Sequence, residues 1–149
     1  MSGNEIKSIE MDPIETDGLI LDIGGGGEGI IGKLNGKQVI AVDTSERELQ
    51  ETVSESLKVV MDATDLKFLP KSFDVCTAFF SLMYIPKNKH LEVFKEVHRV
   101  LKDNGRFLLW DARTREEQGV QVFYGIFESQ ATKSIDRDWI RSEMANRRH

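Results

Sequence analysis

The segment Leu19-Ile20-Leu21-Asp22-Ile23-Gly24-Gly25-Gly26-Gly27-Glu28-Gly29 limits the folds open to this chain more than any other stretch. An apolar run closed by an acid and consecutive glycines describes a buried strand that stops at a tight turn. Glycine alone reaches left-handed backbone without penalty, and it leaves room for a ligand against bare main chain. A second run, Lys37-Gln38-Val39-Ile40-Ala41-Val42-Asp43, also ends in a carboxylate, at the distance where nucleotide-binding folds place an acid on a ribose. Two strands, one glycine turn and two acids define a candidate site.

The glycine turn by itself is ambiguous. Gly24, Gly26 and Gly29 satisfy G-x-G-x-x-G and Asp43 follows at the spacing of a dinucleotide-binding unit, so a nicotinamide or flavin cofactor starts level with any other. Further segments separate the alternatives. Val59 to Leu66 is another apolar strand closed by an acid. Phe68-Leu69-Pro70-Lys71-Ser72-Phe73-Asp74 leads into the run Val75 to Ile85, and Glu96-Val97-His98-Arg99-Val100-Leu101-Lys102-Asp103-Asn104-Gly105-Arg106-Phe107 leads into a last strand ending at Asp111. In this order, Leu19 to Asp111 resembles the class I S-adenosylmethionine-dependent methyltransferases, in particular the small-molecule branch grouped as type 11. The chain departs from that pattern where Glu28 stands in place of a loop glycine and where Asp103-Asn104 replaces the usual proline and glycine; asparagine tolerates the left-handed backbone such a turn needs. It is also short for the family, whose members carry helices before the first strand and a fuller substrate-covering region after the fifth.

Composition agrees with one compact domain over residues 1–149. With 40% hydrophobic and 30% charged residues, the chain can bury a core of ordinary size. A net charge of -5 argues against a nucleic-acid polyanion as partner, since phosphate binding needs a basic face. A single cysteine, Cys76, excludes an internal disulfide and sits inside an apolar strand, where an inert buried thiol is expected. That suits a cytoplasmic protein, as does the lack of a signal-peptide pattern or of an apolar run near the ~20 residues that span a bilayer. The three histidines show no metal-ligand spacing, so no metal is expected.

Periodicity places strands at Gly18 to Ile23, Lys37 to Val42, Leu57 to Met61, Asp74 to Phe80 and Gly105 to Trp110. Helices are expected at Glu28 to Leu34, from a Thr44 or Ser45 cap to about Thr52, and at Asn88 to Lys102, where Leu91, Phe94, Val97 or His98, and Leu101 recur on one face. Asp62 to Ser72 is too short and proline-interrupted for a helix. Alternation of strands and helices specifies an α/β fold with a doubly wound, mainly parallel sheet. The resemblance implies a Rossmann-like strand order 3-2-1-4-5. After a solvated linker at Arg113 to Gly119, Gly119 to Glu128 reads as one further strand and Asp136 to Arg147 as a polar helix. The apolar residues Val120, Val122, Phe123, Tyr124, Ile126 and Phe127 exceed what an exposed edge strand carries, which predicts burial in the sheet or against a second copy of the chain in a homodimer.

The resemblance also implies a cofactor, S-adenosylmethionine, and roles for particular residues. Gly24, Gly25 and Gly26 let the methionine and ribose approach the backbone, Asp43 accepts the ribose hydroxyls, and Thr44 lies beside the adenine. Asp62 and the Ala63 amide meet the adenine edge, Phe80 and Ser81 border the amino-acid end, and Asp22 anchors the loop. Each acid has a plainer alternative as a turn or helix cap. Asp65 is expected in a turn, His90 and His98 in structural roles, and Tyr84 on the cavity wall. The catalytic residue is not identified; Ser81, Tyr84 and His90 are the titratable or hydroxyl candidates near the cleft. The function implied is methyl transfer to a small molecule. A cofactor-binding regulatory subunit without transfer and a nicotinamide-dependent oxidoreductase fragment stay open as alternatives.

Overall fold

The computed structural model describes residues 11–115 and 119–128. Six strands form one sheet in the order β3-β2-β1-β4-β5-β6, with β1 at Ile20–Ile23, β2 at Val39–Asp43, β3 at Leu57–Val60, β4 at Phe73–Phe79, β5 at Leu101–Arg115 and β6 at Gly119–Glu128. The first five run parallel and β6 pairs antiparallel to β5. Three helices alternate with them: α1 (Ile30–Asn35), α2 (Glu46–Glu51) and α3 (His90–Val100). The chain order reverses between β1 and β4, leaving a crevice at the carboxyl ends of the central strands.

Side chains of the central strands alternate between two apolar layers, as the pleat requires. Ile20, Val39, Val75 and Leu108 pack with Ile31 of α1 on one face, joined by Met11 and Ile14. Leu21, Ile23, Val42, Cys76, Ala78, Phe107 and Leu109 face the other layer, with Val93, Phe94, Val97 and Val100 of α3. The segment before β1 is tied to α1 by Asn35, whose amide accepts from Ile14 N and donates to Ile14 O, both at 2.9 Å.

Three expectations are corrected. The buried stripe of α3 is Val93, Phe94, Val97 and Val100, with Leu91 only half-buried, because the helix stops at Val100 and Leu101 is buried from β5 instead. β3 lies at the sheet edge, as the order 3-2-1-4-5 implies, and exposes Leu57 and Val60. The predicted linker is strand up to Arg115, which pairs with Gly119; pairing to β6 supplies backbone partners that a polar sequence does not advertise. The turn at Lys102 to Gly105 falls within β5 as an irregularity of its pairing to β4, with Asn104 left-handed at φ 68° as expected. The segment between β3 and β4 contains no helix, in keeping with its length and Pro70. Of the apolar residues expected to be covered in the last strand, Phe127 is buried and Ile126 half-buried. The side chains of residues 120–124 and the helix expected at Asp136 to Arg147 lie outside the described residues.

Phe107 is fully buried between α3 and β6, its ring 6.1 Å from that of Phe94 and 6.0 Å from that of Phe127. Phe107→Ala is expected to lower the unfolding free energy by about 3 to 5 kcal/mol, measured by urea denaturation; a loss below about 1 kcal/mol would mean the ring is not part of a close-packed core.

Candidate functional site

The glycine turn is strapped onto β2. Gly24 N and Gly25 N donate to the Val42 carbonyl at 2.8 and 3.1 Å. Gly26 N donates to Asp43 Oδ2 at 3.1 Å, while the other carboxylate oxygen accepts from Ser45 N at 3.0 Å. Gly27 N continues the attachment by donating to Glu48 O at 3.0 Å, and the Thr52 hydroxyl donates back to Gly27 O at 2.8 Å. Asp43 therefore sets the distance between the glycine turn and the start of α2, and each oxygen keeps lone-pair capacity for a ligand.

The glycines are required for different reasons. Gly24, Gly27 and Gly29 take left-handed backbone at φ 72°, 70° and 58°. Gly26 does not, but a Cβ there would lie 2.8 Å from Glu48 Cβ and 2.9 Å from Asp43 Oδ2. Its constraint is close approach to α2 rather than dihedral freedom. Glu28 falls between two left-handed glycines and is exposed, so the acid in place of a family glycine is accommodated without strain.

A cavity of about 970 Å3 opens at these strand ends and is lined by all ten predicted residues: Asp22, Gly24, Gly25, Gly26, Asp43, Thr44, Asp62, Ala63, Phe80 and Ser81. This volume lies near the top of the range of about 300 to 1,000 Å3 usual for small-ligand sites. Three of these residues also have partners within the protein. Asp22 is not bonded to the loop; its Oδ1 accepts from the Thr77 hydroxyl on β4 at 2.8 Å, and the loop is held by Val42 and Asp43. Ser81 Oγ donates to Ile23 O at 2.6 Å and its side chain fills the space a Cβ on Gly24 would need, so it backs the turn. Asp62 Oδ1 accepts from the amide and hydroxyl of Thr64 at 2.9 and 2.8 Å, a turn role that leaves Oδ2 for a ligand.

Glu48, Met61, Thr64, Ile85, Pro86 and Lys89 also line the cavity and were not singled out. Glu48 reads in sequence as a first-turn helix acid favoured by the dipole; only the approach of α2 to Gly27 places it at the site. Phe80 has φ 53°, held by its N–H to Trp110 O at 2.9 Å, an unusual backbone for an aromatic residue and one that marks functional regions. Phe79, stacked edge-on against Phe80 at 4.9 Å, and exposed Tyr84 continue this apolar wall. His90 closes the turn at Leu82–Tyr84, its Nε2 lying 3.0 Å from Leu82 O and 2.8 Å from Ile85 O. Asp65 N donates to Asp62 O in the expected turn. Burial raises the Cys76 thiol well above its usual range, as expected of an inert cysteine.

Electrostatically the cavity floor is acidic. Desolvation raises the Asp22 carboxyl to about 7, opposed by the Thr77 hydroxyl and reinforced by the charge of Asp43. The bonds from Thr64, helped by Lys89, hold Asp62 below the ordinary carboxylate range. A set of accepting carboxylates around bare glycine backbone suits a diol and a cation and repels a pyrophosphate. Among the described residues no cluster of His, Cys, Asp or Glu suits a metal ion, and no helix is long and apolar enough to cross a membrane.

Comparison with known families matches residues 21–109 to a methyltransferase domain family. The chain belongs to this family. Its cofactor is S-adenosylmethionine, and the nicotinamide alternative falls with the match. A sterol 4-C-methyltransferase, strm-1 of Caenorhabditis elegans, is 40% identical over 60 residues, 40% of this chain and 17% of that protein. Among solved structures, the PH0226 protein of Pyrococcus horikoshii is 30% identical with a TM-score of 0.60, covering 68% of this chain and 49% of its own. A SAM-dependent methyltransferase of Methanosarcina mazei is 25% identical with a TM-score of 0.58, covering 70% and 57%. The chain thus spans less than two thirds of each of these relatives.

Because the folded-state Asp22 carboxyl titrates near 7 and its unfolded value is 3.8, the native state binds the extra proton between those values. Stability is then expected to fall as pH rises from about 4 to about 7, with a contribution of up to ~1.4 kcal/mol per pH unit. Asp22→Asn should remove that contribution. Urea titrations of both proteins across the window measure it, and identical pH slopes would show that Asp22 is ionised throughout.

Proposed function

We propose that this domain binds S-adenosylmethionine in the cavity at the strand ends and transfers its methyl group to a small-molecule acceptor. Ten residues from four separated segments converge on one cavity, and that convergence carries the reading. Gly24, Gly25 and Gly26 would lie under the methionine and ribose, Asp43 would accept the ribose hydroxyls, and Thr44 would stand at the adenine face. Asp62 and the Ala63 amide would meet the adenine edge. Asp43, Glu48 and Asp62 supply negative charge, with the titratable Asp22 behind them, which favours a ligand bearing a sulfonium and an ammonium and disfavours a dinucleotide.

The cofactor, when bound, supplies an electrophilic methyl for in-line attack. The protein's part is to align the nucleophile and exclude water, effects worth about 7 to 11 kcal/mol in well-oriented systems. Phe79, Phe80, Tyr84, Ile85 and Pro86 form the apolar side of the cavity, which suits an acceptor with an apolar body held near the methyl. Sterols are the first acceptors to test, given the sterol methyltransferase relative. Of the three base candidates, Ser81 and His90 donate to backbone carbonyls, so Tyr84 at the mouth is the one placed to orient an acceptor. The single cysteine, which allows no internal disulfide, suits a reducing compartment such as the cytoplasm, and a second copy of the chain packing on the C-terminal segment is part of this proposal.

Two measurements test the reading. S-adenosylhomocysteine should raise the melting temperature and NAD should not, and Asp43→Ala should weaken the homocysteine compound by about 1 to 3 kcal/mol in calorimetry, through loss of charge-assisted bonds to the diol. Unchanged affinity would remove Asp43 from the site. Incubation with methyl-labelled cofactor and a panel of sterols and small metabolites should label an acceptor; binding without any transfer would support the regulatory alternative over an enzyme.

A further inference from the structure

The residues Asp62 to Asp65 form a short span between two anchors. Upstream, Met61 N donates to Asp43 O at 3.0 Å, which fixes the end of β3 to β2. Downstream, no helix follows, and the chain is instead laid along the last turns of α3. Leu66 N donates to Glu96 Oε1 at 2.7 Å. Arg99 donates to Leu66 O at 2.7 Å and to Phe68 O at 2.8 Å. Lys71 N and Ser72 N then donate to the carbonyls of Arg99 and Val100 at 3.0 and 2.8 Å. Glu96 and Arg99 are themselves paired, with Arg99 Nε 2.7 Å from Glu96 Oε2 and their side chains 34% and 17% exposed for Arg99 and Glu96 respectively. Both outer faces of the pair are thereby committed to the backbone of one loop. A partly desolvated, charge-assisted network of this kind holds a backbone segment far more rigidly than an exposed ion pair.

We infer that Glu96 and Arg99 are positioning residues for cofactor binding: they hold the backbone at Leu66 so that Asp62 and Ala63, four and three residues upstream, stand at the cavity wall. This rests on the cofactor site proposed above. Neither residue lines the cavity, and the pair acts through the loop. In a fold where a crossover helix would ordinarily set the geometry after β3, two side chains of α3 take over that task. Ala63 and Leu66 are also buried, so apolar packing is the competing explanation for the position of the loop, and the experiment separates the two.

Affinity for S-adenosylhomocysteine is measured by calorimetry for Asp62→Ala, Glu96→Ala, Glu96→Gln and the double variant Asp62→Ala/Glu96→Ala, at a temperature where circular dichroism shows each folded. Asp62→Ala and Glu96→Ala are each expected to weaken binding about tenfold, and the double variant no more than either alone, because contacting groups and their supports are non-additive. Glu96→Gln keeps an acceptor for Leu66 N–H and should recover most of the affinity. Should Glu96→Ala not fold, Arg99→Lys and Asp62→Ala/Arg99→Lys run the same cycle. Native affinity in Glu96→Ala, or losses that multiply in the double variant, would overturn the positioning role and leave packing as the cause. Native affinity in Asp62→Ala would instead overturn the assignment of Asp62 to the cofactor, and this inference with it.

Discussion

The glycine turn after β1 depends on being tied to β2, and the site depends on the turn. Four consecutive glycines have no side chains to hold them, and an unpaired loop of this kind would sample many conformations. The Val42 carbonyl and the Asp43 carboxylate remove that freedom by accepting from three successive glycine amides. Since β1 and β2 are adjacent parallel strands with Asp22 opposite Ala41, the sheet register itself sets which β2 residue meets which glycine. A one-residue slip would turn Asp43 away from the loop and exchange the side chains of β2 between the two apolar layers.

A second consequence follows from where the acids lie. Three come at strand ends, where backbone amides and helix starts are available to neutralise part of their charge, and one comes from α2. Asp43 and Asp62 both accept from main-chain donors, and the bonds from Thr64 hold Asp62 below the ordinary carboxylate range. Asp22 has only the Thr77 hydroxyl and full burial, so its proton is retained to near neutrality. The site therefore combines fixed negative charge at the rim with a titratable acid at its floor, an arrangement that meets a cation without accumulating repulsion in the free protein.

The opposite wall is apolar and strained. Phe80 adopts left-handed backbone between β4 and the turn at Leu82–Tyr84, and Phe79 packs against both Phe80 and Trp110. Glycine would adopt that backbone more readily; an aromatic ring kept there, with its amide on β5, points to a need for apolar surface at this place. One side of the cavity thus offers acids and bare backbone, and the other offers rings, which matches the two chemically unlike molecules that a methyl transfer brings together.

Much of this was legible in the sequence because it is local. Strand ends, the glycine turn, the Ser45 cap and the left-handed Asn104 follow from the conformations open to a few consecutive residues, and the order of the segments then limits the sheet to few topologies. The ten candidate residues that line the cavity were suggested by the family resemblance together with the rule that a parallel sheet presents its ligand crevice at the carboxyl ends of the strands. What the tertiary structure alone decided is which partner each of those residues takes: that Asp22 bonds Thr77 rather than the loop, that Ser81 backs Gly24, that Gly26 is required by the nearness of Glu48, and that Glu96 and Arg99 hold a loop 30 residues away in sequence. These are contacts between elements distant along the chain. A single sequence records the chemical capacity of a side chain to bond, but the distance at which its partner stands is set only when the sheet and helices have packed.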